Sequence, residues 1–349
     1  MFRCIAGLLA TGFLSACDGQ QEEPGIVPDP TELIILAAPL SGDAYYADVH
    51  DDIIDFQIGF GRRILRAGDD VIVLADETIA PQFGAALGDR HVAVYPVEDI
   101  WARDFGSSNA EEPVFFRYTA AGQGGGQRDA DAVQSAFLEL AAEAGLDIEV
   151  AAALNDGGNL VDDYSGSLVV SRKFLRDNNR GEAAGRRLLQ RLTGANHIAF
   201  IEADEQGGLE HADGVVSFIG PNTLVINSYP EDPDYAASLR AAIEDGLPGV
   251  EIHQIATPYD GNDIYDARFG SACGLYTNSL VTPHRIYLPQ FGIAEDEVVL
   301  AHVRSLTDRD VVPVPSAGVC HMGGGVRCMS WQLRGETARA LAAHLRDLP

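Results

Sequence analysis

The stretch Val215–Ile243, VVSFIGPNTLVINSYPEDPDYAASLRAAI, contains the pattern that sets the fold class. Its two apolar runs, Val215–Ile219 and Thr223–Ile226, have the length and the β-branched content of buried strands. Asp232-Pro233 then supplies an N-cap and a first helical turn. Apolar side chains follow at helical spacing, in Tyr235, Leu239 and Ile243. The stretch therefore predicts a strand–strand–helix unit.

The same alternation of strand and helix continues along the chain. Helical patterns begin near residues 129, 180, 233, 294 and 335, so most steps are about 50 to 60 residues long. One strand–strand–helix–strand module per step fits this spacing, although no repeat is visible at the level of residues. No Pro-, Gly- or Ser-rich linker divides residues 31–349, which predicts one large α/β domain. Further candidate strands are Leu33–Ala38, Val71–Leu74, His91–Val97, Val114–Tyr118, Ile148–Ala152, Leu168–Ser171, Ile198–Glu202 and Ile286–Pro289.

The composition is that of a folded, strongly acidic protein. Of 349 residues, 24 are Lys or Arg and 52 are Asp or Glu, which gives a formal net charge of −28, and 46% are hydrophobic. The sequence has no basic stripe to neutralise phosphates, so nucleic acid is excluded as a partner. Most of the acidic excess is expected on a solvated surface, where net charge affects solubility and steering rather than marking a site.

The first 30 residues have the pattern of an export signal followed by a tether. Arg3 precedes a mostly apolar run, Ile5–Leu14, that is too short to span a bilayer. The run leads into Leu14-Ser15-Ala16-Cys17, which resembles the bacterial lipobox, whose cysteine is lipidated. We therefore predict a lipoprotein signal at residues 1–17, an acidic, Pro-containing linker at 18–30 and a domain anchored to a membrane only through lipid. This places the domain in the periplasm or at the cell surface, and a secreted soluble protein is the alternative.

The five cysteines do not form a disulfide framework. Cys4 lies in the signal and Cys17 is the lipidation candidate, which leaves Cys273, Cys320 and Cys328. An odd number in an exported protein indicates a free thiol with a function. Cys273 and Cys320 could pair, and the sequence leaves this open.

Two short segments in the first half of the body carry candidate site residues. In Trp101–Gly106, a Trp, an Arg and an Asp next to a strand end could form an aromatic wall and an anionic floor; half-buried packing is the alternative. Asp156-Gly157-Gly158-Asn159 permits the close approach of a ligand or of backbone. This second segment lacks the lysine and the spacing of a phosphate-binding loop, and a tight turn is its simpler interpretation.

Two further segments in the second half contain a proton-transfer pair and a thiol. His211 and Asp213 lie two residues apart, on one face of an extended segment, which suits proton transfer near neutral pH. A structural pair, or a zinc site completed by His321, is the alternative. Cys328 follows the glycines of Gly323–Cys328, where a substrate could reach its thiolate, although such a cysteine is often a buried small hydrophobic residue.

Together, the order and spacing of these segments resemble the agmatine deiminase and bacterial (Porphyromonas-type) peptidylarginine deiminase family of the guanidino-group modifying (pentein) superfamily. The resemblance covers residues 31–349 and includes the stretch Tyr287–Gly292. The segments that carry it are Trp101–Gly106, Gly157-Gly158 with Asp163, His211 with Asp213, Tyr276-Thr277-Asn278 and Gly323–Cys328.

The resemblance implies a fold and a reaction. The fold would be a five-bladed α/β propeller of pseudo-fivefold ββαβ modules, with the site at its centre. The reaction would be hydrolysis of a guanidino group to a ureido product and ammonia, through a covalent thiouronium on Cys328 and without a metal or organic cofactor. An amidinotransferase, a methylarginine hydrolase or a catalytically silent, surface-tethered binding protein are the alternatives.

The resemblance also implies a role for each matching residue. Asp104 and Asp213 would hold the guanidinium through bidentate hydrogen bonds, Cys328 would attack its carbon, and His211 would protonate the leaving amine and then activate water. Asn278 would lie near the nucleophile, and Trp101 would wall the aliphatic stem of the substrate. The full set of expected substrate-binding residues is Trp101, Arg103, Asp163, Asn278, Gly324 and Gly325.

Three departures from the family pattern leave the substrate open. The first strand ends in Ala38-Pro39 where the family has Trp-Pro, Asp156 replaces a Glu, and Ser107 replaces a Pro. Together with the export signal, these differences leave agmatine, free arginine and peptidyl arginine as candidates. The sequence also leaves the oligomeric state open.

Overall fold

The computed structural model describes residues 32–108, 113–204, 208–262 and 264–348. The predicted signal, the linker and the lipidation candidate Cys17 lie outside the described residues. Within these ranges, we find no helix that is both long enough and apolar enough to cross a membrane.

Fifteen strands form five separate sheets within the described ranges. They are β1 (Glu32–Ala37), β2 (Asp70–Ala75), β3 (Val92–Val94), β4 (Val114–Arg117), β5 (Glu149–Leu154), β6 (Leu160–Asp162), β7 (Ser167–Ser171), β8 (His197–Ile201), β9 (Val216–Gly220), β10 (Thr223–Asn227), β11 (Glu251–Ile255), β12 (Leu280–Val281), β13 (Arg285–Gln290), β14 (Asp310–Pro315) and β15 (Ser330–Arg334). The ten predicted strands each match one of these strands within a few residues at their ends, and β6, β11, β12, β14 and β15 are absent from the predictions. The largest difference is His91–Val97, because Pro96 has no N–H to donate to a ladder and the observed strand β3 ends at Val94.

The helices in the same ranges are α1 (His50–Ala67), α2 (Ala80–Leu87), α3 (Ala102–Phe105), α4 (Gln127–Glu143), α5 (Lys173–Asp177), α6 (Glu182–Thr193), α7 (Pro233–Gly246), α8 (Glu295–Leu306) and α9 (Gly335–Asp347). Five of them begin where the sequence predicts. At α7, the Asp232 side chain accepts a hydrogen bond from the Tyr235 N–H, so the predicted N-cap is present.

Helix α1 is absent from the sequence predictions. Its first half carries β-branched and aromatic residues almost in alternation, a pattern that is also typical of strands. Tertiary packing decides in favour of the helix, because these side chains are buried on its inner face, against β2 and β14. They are Ile53, Ile54, Phe56, Ile58 and Phe60.

Three of the five sheets are built as complete strand–strand–helix–strand modules. An antiparallel hairpin is followed by a helix and a third strand that is parallel to the hairpin's second strand. These modules are β6–β7–α6–β8, β9–β10–α7–β11 and β12–β13–α8–β14. The fold is therefore a mixed α/β fold with a recurring module, and closure of five modules around one axis stays a prediction.

The remaining two sheets are variants of the module. Strand β15, near the end of the chain, pairs antiparallel with β1, which pairs parallel with β2 through α1, and β3 adds a further parallel strand. The fifth sheet contains only β4 and β5, parallel and joined by α4. Pairing of β15 with β1 brings the buried Glu32 carboxylate to 2.7 Å from Arg334 Nε, so an ion pair joins the two ends of the domain.

Candidate active site

Segments that follow the last parallel strands of four different sheets meet at one cavity. They come after β3, β8, β11 and β14, and ligand sites in α/β proteins form at the carboxyl ends of parallel strands. Residues that follow β1 and β4 complete the wall, while the Gly-Gly segment after β5 lies behind Asp104 and His211. The cavity has a volume of about 280 Å³. Its inner wall includes the predicted residues Trp101, Asp104, His211, Asp213, Asn278 and Cys328.

Asp104 is held at the cavity by the Gly-Gly segment. Its Oδ1 accepts a hydrogen bond from the Gly158 N–H at 2.8 Å. A Cβ on Gly158 would lie 2.5 Å from His211 Nδ1, and one on Gly157 would lie 1.9 Å from the Arg103 carbonyl oxygen. The two glycines therefore serve the close approach of backbone to the site, and only glycine fits at either position.

His211 is oriented by Asp156, which the sequence analysis named within the Gly-Gly segment and as a departure from the family pattern but did not give a role. His211 Nε2 lies 3.0 Å from Asp156 Oδ2, while Nδ1 faces Asp104 Oδ1 at 3.9 Å. Burial alone would lower the pKa of His211, but the charges of Asp104, Asp156 and Asp213 raise it to about 9. The imidazole is therefore protonated at neutral pH and can act as a proton donor.

The Asp156 carboxylate is itself well supported. Burial alone would raise its pKa, but hydrogen bonding to His211 and the charges of His211 and Lys173 hold the pKa below the ordinary value. Oδ1 and Oδ2 accept hydrogen bonds from the Thr119 N–H and hydroxyl, at 2.8 and 2.9 Å. Asp156 is therefore an ionised partner that fixes the orientation of His211. The signal that could have revealed it is an acidic residue directly before Gly-Gly.

Asp213 already has a cationic partner, Arg327, which the sequence analysis did not single out. Arg327 Nη1 donates to Asp213 Oδ2 at 2.7 Å, and Nη2 donates to the Leu160 carbonyl at 2.7 Å. Both side chains are buried. The ion pair uses Oδ2, the oxygen that also lies 4.0 Å from Cys328 Sγ. A substrate guanidinium would therefore share the Asp213 carboxylate with a guanidinium of the chain itself.

Cys328 is a buried thiol at the cavity wall and the one free cysteine of the described residues. Asn278 Nδ2 donates to Cys328 Sγ at 3.0 Å, and Asn278 Oδ1 accepts from the Arg327 N–H at 3.3 Å. Burial, followed by the charges of Asp213 and Asp104, raises the pKa of the thiol well above its ordinary value, and the Asn278 hydrogen bond opposes this. A cation bound between these carboxylates would favour the thiolate.

Four of the six expected substrate-binding residues, Arg103, Asp163, Gly324 and Gly325, are not among the residues that line the cavity. Asp163 Oδ1 accepts from the Ser165 and Ser167 N–H groups, at 2.7 and 2.8 Å, and so shapes the turn between β6 and β7. Arg103 is buried behind the wall, where its backbone N–H donates to the Cys328 carbonyl at 3.1 Å. Gly325 lies near the Asn278 side chain, and its carbonyl accepts from the Met329 N–H at 3.0 Å. Arg103, Asp163 and Gly325 therefore support the segments that line the cavity, and a role of these residues in substrate binding stays a prediction.

Gly324 packs directly against the aromatic wall. A Cβ at this position would lie 2.4 Å from Trp101 Cζ3 and 2.9 Å from Cys328 Cβ. The glycine therefore lets the Trp101 indole lie next to the nucleophile segment.

Cys273 and Cys320 form a disulfide, which resolves the pairing that the sequence left open. The bond joins the segment Phe269–Ala272 of the cavity wall to the segment that leads into Cys328. His321, the third ligand of the zinc alternative, packs on the Tyr265 ring and is not among the cavity residues. Within the described part of the chain, no group of three or more His, Cys, Asp or Glu side chains is arranged to hold a metal ion.

The mouth of the cavity is acidic and aromatic, a feature that the sequence analysis missed. Besides His211, its only basic lining residue among those described is Arg268, whose guanidinium donates to Asp266 at distances down to 2.6 Å. Burial raises the pKa of both Asp99 and Asp204 to about 6. The acidic and aromatic residues of this part of the lining are Asp43, Tyr45, Tyr46, Glu98, Asp99, Asp204 and Glu210, of which Tyr46 is buried and Glu210 is ion-paired with Arg176.

Solved structures share this fold. An agmatine deiminase of Enterococcus faecalis is 17% identical to this chain, with a TM-score of 0.71 over 88% of this chain and 94% of that one. For an agmatine deiminase of C. jejuni, the identity is 17% and the TM-score is 0.70 over the same shares. A protein of Selenomonas ruminantium, provisionally named an agmatine deiminase, is 25% identical over an alignment of 329 positions that covers 78% of this chain and 85% of that protein.

The fold and the site together define the class of the protein, which is a deiminase that acts on guanidino groups. The site combines a buried thiol, a protonated histidine and a set of carboxylates. The sequence profile of the Porphyromonas-type peptidyl-arginine deiminase family matches residues 29–333. The chain belongs to this family.

Proposed function

We propose that the protein hydrolyses the guanidino group of a small cationic substrate, with Cys328 as the nucleophile. The observation that carries the proposal is the common cavity of the Cys328 thiol, the His211 imidazole and the Asp104 and Asp213 carboxylates. A guanidinium carbon is a poor electrophile, so the reaction needs its cation held in place beside a thiolate. Carboxylates in the same cavity as the thiol can hold this cation, and the bound cation then favours the thiolate.

The first half of the reaction forms a covalent intermediate. Binding of the guanidinium against Asp104 and Asp213 offsets the charges that disfavour the thiolate, and the Cys328 proton is released. The thiolate then forms a bond to the guanidinium carbon, and His211 donates its proton to the departing nitrogen. The C–N bond breaks, ammonia leaves, and a thiouronium remains on Cys328.

The second half returns the site to its starting state. Neutral His211 takes one proton from a water molecule, whose oxygen forms a bond to the thiouronium carbon. The C–S bond then breaks, and the electron pair returns to sulfur. The proton lost by the oxygen of the product restores the Cys328 thiol, so the balance is one guanidinium and one water converted to one ureido group and one ammonium.

We infer that the substrate is a guanidino amine such as agmatine. The carboxylates of the mouth favour a second positive charge at the far end of the substrate, and Arg268 is already bound to Asp266, so it offers little to a carboxylate. The names of the relatives above agree with this choice. Free arginine brings its carboxylate to this acidic mouth, and peptidyl arginine brings no second charge.

A ureido-product assay on agmatine, free arginine, an Nα-acyl-arginine amide and an arginine peptide tests this choice. We expect kcat/KM for agmatine to exceed that for free arginine by at least about 10-fold, the equivalent of 1.4 kcal/mol. Cys328→Ala is the matched control and should form no ureido product from any of the four. A higher kcat/KM for the peptide or for free arginine would contradict the assignment of a guanidino amine.

We also propose that the protein is exported and lipid-anchored through Cys17, with its five sheets arranged around a common axis. The Cys273–Cys320 disulfide supports export, because disulfides persist mainly in oxidising compartments. Segments that follow strands of all five sheets contribute to a single cavity, which supports the circular arrangement.

A further inference from the structure

Lys173 is the only lysine of the chain, and it is buried close to the site. The residue is only 7% exposed, whereas lysines are rarely buried unless they are paired. It begins helix α5, and its ammonium donates to Thr119 Oγ1 at 3.1 Å and to the Asp177 carboxylate. Lys173 Nζ also lies 3.8 Å from Asp156 Oδ2. The proposed mechanism uses none of these contacts.

A chain of hydrogen bonds links Lys173 to the catalytic histidine. Lys173 Nζ donates to Thr119 Oγ1, and the Thr119 hydroxyl donates to Asp156 Oδ2 at 2.9 Å. The same Asp156 oxygen lies 3.0 Å from His211 Nε2. The ammonium therefore acts on His211 through two side chains, and it has no contact with the cavity.

The charges around the site explain why a cation is needed there. Three carboxylates, Asp104, Asp156 and Asp213, are buried together, and an unpaired buried carboxylate is costly. Arg327 pairs with Asp213, and Lys173 offsets Asp156 from behind. Within the described part of the chain, the one ion pair of Asp104 is with His211, at 3.9 Å from its carboxylate, so Asp104 remains available to a substrate cation.

We propose that Lys173 is a positioning residue: together with Thr119, it holds the Asp156 carboxylate so that Asp156 fixes His211 for proton transfer. The role of His211 in turnover rests on the proposed function. The electrostatic effect of Lys173 on His211 is independent of the proposed function, because it can be measured without a substrate.

Replacing Lys173 by methionine removes one positive charge and leaves the other neighbours of His211 and Asp156 in place. A nearby cation favours the deprotonated form of an acid, so its loss raises the pKa of both Asp156 and His211. At 3.8 Å from Asp156, the lost charge is expected to shift these pKa values upward by about one unit. In the wild type and in Lys173→Met alike, Asp156 and His211 are faced by the same other charged and titratable groups. These are Asp104, Tyr118, Asp177, Asp213, Arg327 and Cys328.

The experiment compares Lys173→Met with Arg172→Met in the full chain. Arg172 is the neighbouring cation, but it is more exposed and pairs with Glu182 at 3.0 Å on the surface. For Lys173→Met we expect kcat at pH 7 to fall by at least about 10-fold with an unchanged KM, and the pH profile of kcat to move upward by about one unit. Arg172→Met should match the wild type, and Lys173→Arg should recover most of kcat.

The second readout is the titration of the His211 imidazole by NMR, assigned by comparison with a His211→Asn variant. An upward shift in Lys173→Met, and no shift in Arg172→Met, is the expected result. If Lys173→Met does not fold, Thr119→Val removes only the hydroxyl that joins Lys173 to Asp156 and should also lower kcat without changing KM. An unshifted His211 titration, or equal effects of the Lys173 and Arg172 variants, would overturn the role of Lys173. A wild-type protein that forms no ureido product would instead overturn the proposed function, while the titration still decides the role of Lys173.

Discussion

His211 and Asp104 control each other's ionisation, because they lie in one buried site with two further carboxylates. Burial, followed by the charges of Asp156 and Asp213, raises the pKa of Asp104 to about 6, although His211 opposes this. Burial lowers the pKa of His211, but the carboxylates outweigh it and the pKa is about 9. Between these two pKa values, Asp104 is an ionised carboxylate and His211 is a protonated imidazole, which are the forms that the proposed reaction needs.

The pH dependence of kcat/KM tests this pair of ionisations. Asp104 holds a guanidinium only as a carboxylate, which it is above its pKa, and His211 donates a proton only below its own. We therefore expect kcat/KM to be highest between about pH 6 and pH 9, with activity lost on both sides. A steady-state profile with agmatine measures it, and an optimum below pH 5 would contradict these assignments.

For individual site residues, the sequence reveals the reacting groups but not the side chains that pair with them. His211, Asp213 and Cys328 are identified by residue type and order along the chain. Asp156 meets His211 across 55 positions, and Arg327 meets Asp213 across 114. Such pairs exist only once the sheets have brought their ends together, so no local pattern indicates them.

The elements around the cavity are tied together by one covalent link. The Cys273–Cys320 disulfide closes a loop with a sequence separation of 47 residues, which contains β12, β13, α8 and β14. One bonded segment leads into Asn278 and the other leads into Cys328. The disulfide therefore limits the movement of these two parts of the cavity wall relative to each other.

Removing the disulfide should destabilise the protein. For a loop of this length, the double variant Cys273→Ala/Cys320→Ala is expected to lose about 4 kcal/mol of unfolding free energy, because its unfolded chain is less constrained. Urea unfolding of the oxidised proteins measures this difference. As a control, a reductant should destabilise the wild type and leave the double variant unchanged. Equal midpoints for the oxidised wild type and the double variant would contradict the prediction.

Strongly patterned elements are predictable here, and those decided by tertiary packing are not. Helix α7 has its cap, its first-turn proline and its apolar stripe within one short stretch, and it forms where expected. Helix α1 has a strand-like distribution of Ile and Phe, and only its burial against β2 and β14 makes it a helix. Short strands such as β6 and β12 have two or three residues each, too few to show a period.

On the scale of the whole molecule, the recurring module accounts for the position of the site. Each sheet ends in a parallel strand. In four of the five sheets the segment after that strand supplies one part of the cavity, and in the sheet of β4 and β5 the segment after β4 does so. The helix spacing predicts a repeated module, and three complete modules are present. The net charge of −28 indicates no function by itself, but carboxylates such as Asp104 and Asp99 make the cavity suited to a cation.

The proposed lipid anchor makes a prediction for the full-length protein. Cys17→Ala should prevent lipidation and move the protein from the membrane fraction to the soluble fraction, because no other membrane contact is expected. Fractionation of cells that express each form measures this. Cys4→Ala, within the same signal, is the control and should stay with the membrane; an equal distribution of Cys17→Ala and wild type would refute the anchor.

Covalent catalysis by Cys328 is tested most directly by the intact mass of the protein after acid quenching during turnover of agmatine. We expect a covalent adduct equal in mass to the substrate minus ammonia, located by peptide mapping on the peptide that contains Cys328. It also predicts that Cys328→Ala forms neither the adduct nor the ureido product. Formation of the ureido product by Cys328→Ala at the wild-type rate would contradict the account.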